Sequence, residues 1–387
     1  MSGHSVLELV AALDREIAVS TALRHRLHAS PDLSGKEGPT RDLVLEYLPA
    51  PHGVTKVADT GALIRVGPPG PAIAVRAELD ALPVLENTTA NWHSKRPGIM
   101  HACGHDIHLA ALTALARALN DVGGPAPLLA VLQPREESFP SGALEVVESG
   151  TLTEEQCRSA IGVHVQPTLP AGHVACTPGI VNASSDEVTL LISGAGGHAA
   201  YPHLSTDPVL TLAHVVVALQ SHVSRAVDPM SSVVLSVTML EAGTAANVIP
   251  GHALARGTIR AMNSADRARA IERVTEITDL VARAHGCEST VTVTPGEPPL
   301  DNNPELARGT GDVLRRLDLQ VADSLRSAGS DDFSYYSEAL PSLMMFVGTG
   351  EPEERLHSPS FLPADARIRD VALAMLAGYI AASEAFC

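Results

Sequence analysis

Within "MHACGHDIHLAAL" the chain gathers His101, Cys103, His105, Asp106 and His108, just before an apolar run that continues to Leu119. Thiolate sulfur and imidazole nitrogen are donors suited to divalent transition metals. A cysteine at a helix start also has its thiolate favoured by the dipole and by any nearby cation, which would activate it as a nucleophile. Alone, the C-x-H pair reads more simply as a buried cysteine followed by a helix-capping Asp106. His108 lies one helical turn from Leu112 and, like His101, reads as packing or as a support behind the ligands.

Two adjacent acids, Glu136 and Glu137, follow the apolar run "PLLAVL". Unpaired carboxylates next to a buried strand carry a desolvation cost, so acids in such a place point to a task. Neighbouring side chains of an extended segment face opposite ways, so one acid can hold a metal while the other points at water. His164 closes "AIGVH" and His357 lies in "RLHSPSF". Alone, the first reads as a core histidine and the second as a loop residue. Together, Cys103, His105, Glu137, His164 and His357 make a thiolate, three imidazoles and a carboxylate, with Glu136 left over. That exceeds the needs of a single tetrahedral zinc. It suits two divalent metals a few ångströms apart, bridged by one ligand or a water.

These residues need a frame. Short apolar runs at Ala72–Val75, Pro127–Leu132 and Ser159–Val163 alternate with helical patterns such as Ile107–Leu119, and Ser342–Val347 supplies a similar strand later. That alternation predicts an α/β fold, a mostly parallel sheet covered by helices on both faces. Open sheets of this kind bind ligands at the carboxyl ends of their strands. Asp80, Glu136, Glu137, His164 and the residues after Val347 fall there. Cys103 and His105 face the same edge if their helix is an ordinary crossover.

The middle of the chain has a different rhythm. Strands are expected at Asp186–Ser193, Ser231–Leu240, Gly251–Ala261 and Ser289–Pro295, with helices over Asp207–Val227 and Ser264–Gly286. The order β-α-β-β-α-β is that of a ferredoxin-like split unit. Ser264 is the expected N-cap of the second helix, with Gly286 just past its end. The expected organisation is a catalytic domain of residues 1–183 and 299–387, with an α+β domain of residues 184–298 inserted into it.

Composition narrows the partners. The formal charge of −17 argues against nucleic acid or an anionic membrane surface, which repel a polyanion. Aromatics make up only 3%, so the core must be built from Ala, Val, Leu and Ile. The opening stretch has leucines and valines at helical spacing between charges, which predicts an amphipathic helix and no signal peptide. No apolar run approaches the length of a membrane span. Cys103, Cys157, Cys176, Cys287 and Cys387 are scattered and odd in number, which argues against a disulfide framework and for the cytoplasm.

The segments "RAELDALP", "MHACGHDIHLAAL", "QPREES", "GVHV", "GGHAAYPHLSTDP", "AGTAANVIPGHALARGTIR", "SDDFSYY" and "LHSPSF" occur in one order over nearly the whole chain. In that order and spacing the chain resembles the metal-dependent aminoacylase and carboxypeptidase family of metallopeptidases. The branch it resembles most holds hippurate hydrolases, auxin-conjugate amidohydrolases and bacterial N-acyl-amino-acid amidohydrolases. The Cys-Gly-His block is the most specific of these motifs, and "LRHRLHASPDLSGKE" also fits the branch. The resemblance implies two divalent metals in the α/β domain and an inserted lid that dimerises. It implies that Cys103 bridges the metals, that His105 and His164 complete one site, and that Glu137 and His357 complete the other. Glu136 matches the general base. His198 matches a lid histidine that stabilises the oxyanion, Asn247 and Arg260 match lid residues that hold the substrate carboxylate, and Asp80 matches an acid behind the ligands. Two departures stand out: Glu78 where the family usually has Asp, and "SFPSGA" where it tends to have a glycine-rich run.

The reading is therefore a metallo-amidohydrolase that cleaves N-acyl-amino acids to a carboxylic acid and a free amino acid, with zinc, manganese, cobalt or nickel. A dipeptidase or carboxypeptidase on the same fold is the near alternative. A thiol hydrolase using Cys103 would leave the other ligand-type residues without a role, and a non-catalytic metal-binding protein predicts the loss of a ligand or the base, none of which is missing.

Overall fold

The computed structural model describes residues 6–49 and 53–387. It divides into two compact units. The first runs to Gly179 and takes in Asp301–Leu325 and Asp332–Cys387; the second is Ile180–Leu300 with Arg326–Asp331.

The first unit is built on an eight-stranded sheet. Its spatial order is Thr55–Val57, Gly61–Val66, Leu128–Gln133, Ala72–Glu78, Cys157–Gln166, Ser342–Gly348, His173–Ala175 and Gln320–Ala322. The middle four strands are parallel, as the alternating runs require. Antiparallel pairs flank them on either side. Three of the parallel strands are buried at every position, because helices close over them and no residue faces water. The helices His105–Val122 and Ala366–Phe386 pack against this sheet, and Val6–Ala29 packs on the first of them. Residues 1–5 of the expected opening helix lie outside the described residues. Small side chains let these layers approach. At Gly378 a Cβ would stand 2.8 Å from Ile161 Cγ2 of the sheet.

The second unit is a four-stranded antiparallel sheet in the order Val233–Ala242, His252–Ala261, Asp186–Ser193, Glu288–Pro295. Pro208–Ala226 and Ser264–Ala284 are its two helices, so chain order and strand order are those of the ferredoxin-like split unit. Alternate residues of Asp186–Ser193 are buried, which is the pattern of a sheet covered on one face. Val188, Leu190, Ile192, Leu212, Val215 and Leu219 form the centre of its core. The cap of the second helix differs from the expectation. Asn263, not Ser264, is the N-cap, and its side chain accepts from Asp266 N at 2.8 Å. Both are good capping types, and only the backbone shows which residue stands outside the helix. Among the described residues, no helix is long and apolar enough to cross a membrane.

Candidate metal centre

Four segments of the first unit supply the side chains. Gly104 makes the turn that sets Cys103 and His105 side by side. Its φ is +85°, and a Cβ there would lie 2.6 Å from Val165 Cγ2. Only glycine combines that backbone with that contact. The Ala-rich helix His105–Val122 behind the turn is almost wholly buried, which fixes the turn rigidly. His164 lies within the buried strand Cys157–Gln166. Glu136 and Glu137 follow the strand Leu128–Gln133 in a bend rather than in the extended segment the sequence suggests, because Arg135 before them turns to a φ of +50°. His357 also has a left-handed backbone, φ +66°, and its N–H donates to Ala102 O at 2.9 Å, tying its loop to the Cys103 turn. Two non-glycine residues held left-handed beside one cluster fit a site that fixes its side chains against local preference.

The donor atoms form two groups that share one sulfur. Donor atoms of Cys103, His105 and His164 lie within 4.8 Å of one another, and so do those of Cys103, Glu137 and His357. Cys103 Sγ is 3.3 Å from His164 Nε2 and 3.4 Å from His357 Nε2, and His357 Nε2 is 3.3 Å from Glu137 Oε1. Glu136 Oε2 stands 3.7 Å from His105 Nε2. His357 is the exposed member, its side chain 53% accessible, while Cys103, His105 and His164 are buried.

The imidazoles are oriented from behind. His105 Nδ1 donates to Asp80 O at 2.9 Å, and His164 Nδ1 donates to Val165 O at 2.7 Å. A carbonyl only accepts, so each ring carries its proton on Nδ1 and turns Nε2 inward. His105 Nε2 is buried and has no hydrogen-bond partner. A buried bare nitrogen in such a cluster is the mark of a cation site. Asp80 joins two donors: its Oδ2 accepts from Glu137 N at 2.9 Å and from Ser34 Oγ at 2.7 Å, while its Oδ1 lies 3.8 Å from His105 Nδ1.

The field at the centre is negative. Burial works against a charge on His105, yet Glu78, Asp80 and Glu137 raise its pKa above the ordinary histidine value. Burial also works against Glu137, and His357 and His105 nonetheless hold its carboxyl below the usual range. Burial, then Glu137 and Glu136, push the Cys103 thiol well up. A divalent cation answers both effects: it satisfies the carboxylates and makes a coordinated thiolate favourable. The residues present therefore fit two such ions.

Sequence reading named Asp80 behind the ligands but not the partners of Asp106 and His108. Asp106 does not cap its helix, whose N-cap is Gly104 without a side-chain bond. Asp106 instead accepts from Arg24 Nε and from His28 Nδ1, both at 3.0 Å, and Arg24 Nη1 reaches Asp365 Oδ1 at 2.6 Å. His108 takes the supporting role rather than packing alone. Its Nδ1 donates to Glu78 Oε2 at 2.8 Å and its Nε2 accepts from Val165 N at 3.1 Å. Glu78 also pairs with Arg76, and Arg76 with Gln133 clasps Asp332, so the unusual acid sits in a buried polar network. The spacing of His105 and His108 was a visible signal for this; the distant partners, from 30 residues for His108 and Glu78 to 341 for Arg24 and Asp365, were not. Phe139, in the departure after the paired acids, is exposed.

The remaining site candidates lie in the second unit. His198 is exposed on a two-residue strand that pairs with Val248–Ile249, and Ala199 N donates to Asn247 O at 3.1 Å, so these two neighbour each other. Arg260 lies on the strand His252–Ala261.

Residues 74–377 match the model of peptidase family M20/M25/M40. The chain belongs to this family, and it is a hydrolase acting on amide bonds. It is 35% identical over 348 residues to an N-acetyl-L-cysteine deacetylase of Bacillus subtilis, covering 88% of this chain and 82% of that protein. It is 32% identical over 365 residues to an N-acetyldiaminopimelate deacetylase of Bacillus cytotoxicus, covering 92% and 96%. The crystal structure of Bacillus subtilis YXEP protein, described as a dinuclear metal binding peptidase of the M20 family, superposes with a TM-score of 0.82 at 28% identity over 94% of this chain and 98% of that one.

Proposed function

We propose that this member of the family cleaves the amide bond of N-acyl-amino acids at a centre of two divalent metal ions. The carrying observation is the pair of donor groups that share Cys103 Sγ. Cys103, His105 and His164 would hold one ion, and Cys103, Glu137 and His357 the other. Named deacetylases of N-acyl-amino acids among the relatives, and a dinuclear neighbour, support the reading. Thiolate and imidazole suit zinc, cobalt or nickel, and the carboxylate also admits manganese.

When bound, ions of this kind polarise an amide carbonyl and lower the pKa of bound water to about 7. The chain's residues do the rest. Glu136, half-buried at the edge of the cluster, takes the proton of the attacking water and delivers it to the leaving amine. Asp80 holds His105 and the Glu137 peptide in place. His198 donates to the oxyanion, and Asn247 and Arg260 hold the substrate carboxylate, for which a planar guanidinium is well shaped. A thiol hydrolase is disfavoured because burial and two carboxylates keep an uncoordinated Cys103 protonated.

Residues 184–298 form the lid, and we assign the homodimer to it. Val209, Leu210 and Val217 on the helix Pro208–Ala226, with Met239 and Leu240 on the edge strand, expose apolar surface of the kind a partner copy covers. The five free cysteines accord with the cytoplasm. The experiment is hydrolysis of a panel of N-acyl-amino acids and dipeptides by metal-stripped protein, before and after adding zinc, manganese, cobalt or nickel. Turnover that returns only with metal supports the reading, and preference for dipeptides replaces it with a dipeptidase.

A further inference from the structure

The second unit contains a cavity of about 450 Å³ whose lining includes none of the residues gathered around Cys103. Two arginines, Arg260 and Arg326, line it, with Met230, Met262, Val234 and Ser327. No acid lines it, although the chain carries 44 Asp and Glu against 27 Lys and Arg. In so acidic a chain, two cations converging on one cavity without a carboxylate among them are out of pattern.

The two guanidiniums are also underused. Arg326 Nε donates to Ile180 O at 3.0 Å. Arg260 Nη1 makes two long bonds, 3.4 Å each, to Ala328 O and Ser330 Oγ. Arg326 is exposed and Arg260 half-buried; buried or half-buried arginines elsewhere meet carboxylates, Arg24 with Asp106, Arg65 with Glu155 and Arg76 with Asp332, so Arg260 is the one that departs from this pattern. Arg267, in the same unit, grips Asp186 at 2.9 and 2.6 Å through two nitrogens. Among the described residues, Arg260 and Arg326 reach no carboxylate in this way. Glu297 lies close enough for its charge to be felt by Arg260, but it bonds to Ser330, and burial pushes its carboxyl up. The cavity thus offers two forks for anionic oxygens and an apolar wall.

We propose that this cavity binds a small dicarboxylate, with one carboxylate on Arg260, the other on Arg326, and the carbon chain against the methionines and Val234. Guanidinium–carboxylate pairs are strong and directional, which makes two of them selective for a second acid group. Two sources share this chemistry. The dicarboxylate is either the acidic amino-acid part of the substrate, which rests on Arg260 holding the substrate carboxylate as proposed above, or a separate acid that regulates the enzyme.

Calorimetric titration of the purified protein with succinate, glutarate and adipate, against butyrate, tests this without turnover. One dicarboxylate is expected to bind at least about tenfold tighter than butyrate, the scale of one charged hydrogen-bonded pair. Arg326→Gln removes that preference and Arg326→Lys keeps part of it, and added salt weakens it. No preference over butyrate, or a preference intact in an Arg326→Gln protein that melts like the parent, overturns the proposal. The source follows from kinetics. Competition with N-acetyl-L-glutamate, and a kcat/KM for it above that for N-acetyl-L-glutamine, assigns the cavity to the substrate; binding without competition assigns it to a separate acid. Dicarboxylate binding in a protein that hydrolyses no amide overturns the amidohydrolase reading alone, and hydrolysis without dicarboxylate binding overturns this proposal alone.

Discussion

Glu136 and Glu137 are one residue apart and touch different things: the first approaches His105, the second His357. Their substitutions are therefore expected to separate. Glu136→Gln keeps the shape, the metal content and the melting temperature and loses about 10²- to 10⁴-fold in kcat, the usual value of a proton-transfer group. Glu137→Gln loses bound metal first. Metal analysis beside kcat checks both; an active Glu136→Gln protein ends its role as base. His28 gives a different prediction at the same scale. Burial works against its charge, but Asp106 and Glu86 outweigh this and raise its pKa to about 9. The folded value lies above the ordinary one, so the stabilisation is complete below about pH 6.5 and disappears as pH rises through about 9, on the order of 3 kcal/mol in all. Melting temperatures measured from pH 6.5 to 9 should fall more steeply for the parent than for His28→Gln. Parallel slopes would mean that the Asp106 contact carries no charge.

Cys103 and His105 depend on the turn between them. Gly104→Ala meets two penalties: a left-handed backbone costs about 1–2 kcal/mol without glycine, and the new methyl crowds Val165 in a packed core at about 1–3 kcal/mol. The variant is expected to melt lower and to bind less metal, whereas Gly53→Ala, left-handed but with open space around it, should lose stability alone. Equal metal content in both would show that the turn does not position the ligands. Most elements here are legible in the sequence because their patterns are long: continuous apolar runs for the buried parallel strands, helical spacing for Ser264–Ala284, alternation for Asp186–Ser193. Thr55–Val57, His173–Ala175 and Gln320–Ala322 are not legible, because strands of three residues carry no period. The bend at Glu136 is hidden for a related reason. It follows from Arg135 taking a backbone conformation that an arginine rarely adopts.

At the scale of the whole chain, what could be read was the set of chemistry-bearing residue types and their order; what could not was which distant partners meet. Cys103, Glu137, His164 and His357 are donor types that only their joint presence marks, and Arg24 behind Asp106 and Asp332 behind Gln133 depend on contacts across much of the sequence. Arg326–Asp331 joins the second unit, although it follows that unit's last strand by some thirty residues. Such contacts also decide how the molecule responds to metal. The first unit gathers Glu78, Asp80, Glu136 and Glu137 around a few buried imidazoles, in a chain whose formal charge is already −17. Carboxylates this close repel one another, a cost that bound cations would relieve. Stripping the metals with a chelator is therefore expected to remove turnover and to lower the melting temperature together. Adding back metal at about 100 times its dissociation constant should return about 2.7 kcal/mol per site, by mass action on the folded state alone. Scanning calorimetry at rising metal concentration, read beside the rate of amide hydrolysis, checks the coupling. Turnover that survives thorough stripping would remove the metals from the reaction. Stability that recovers without turnover would instead place the failure at Glu136 or in the residues of the second unit, since the ligands would then be shown to bind.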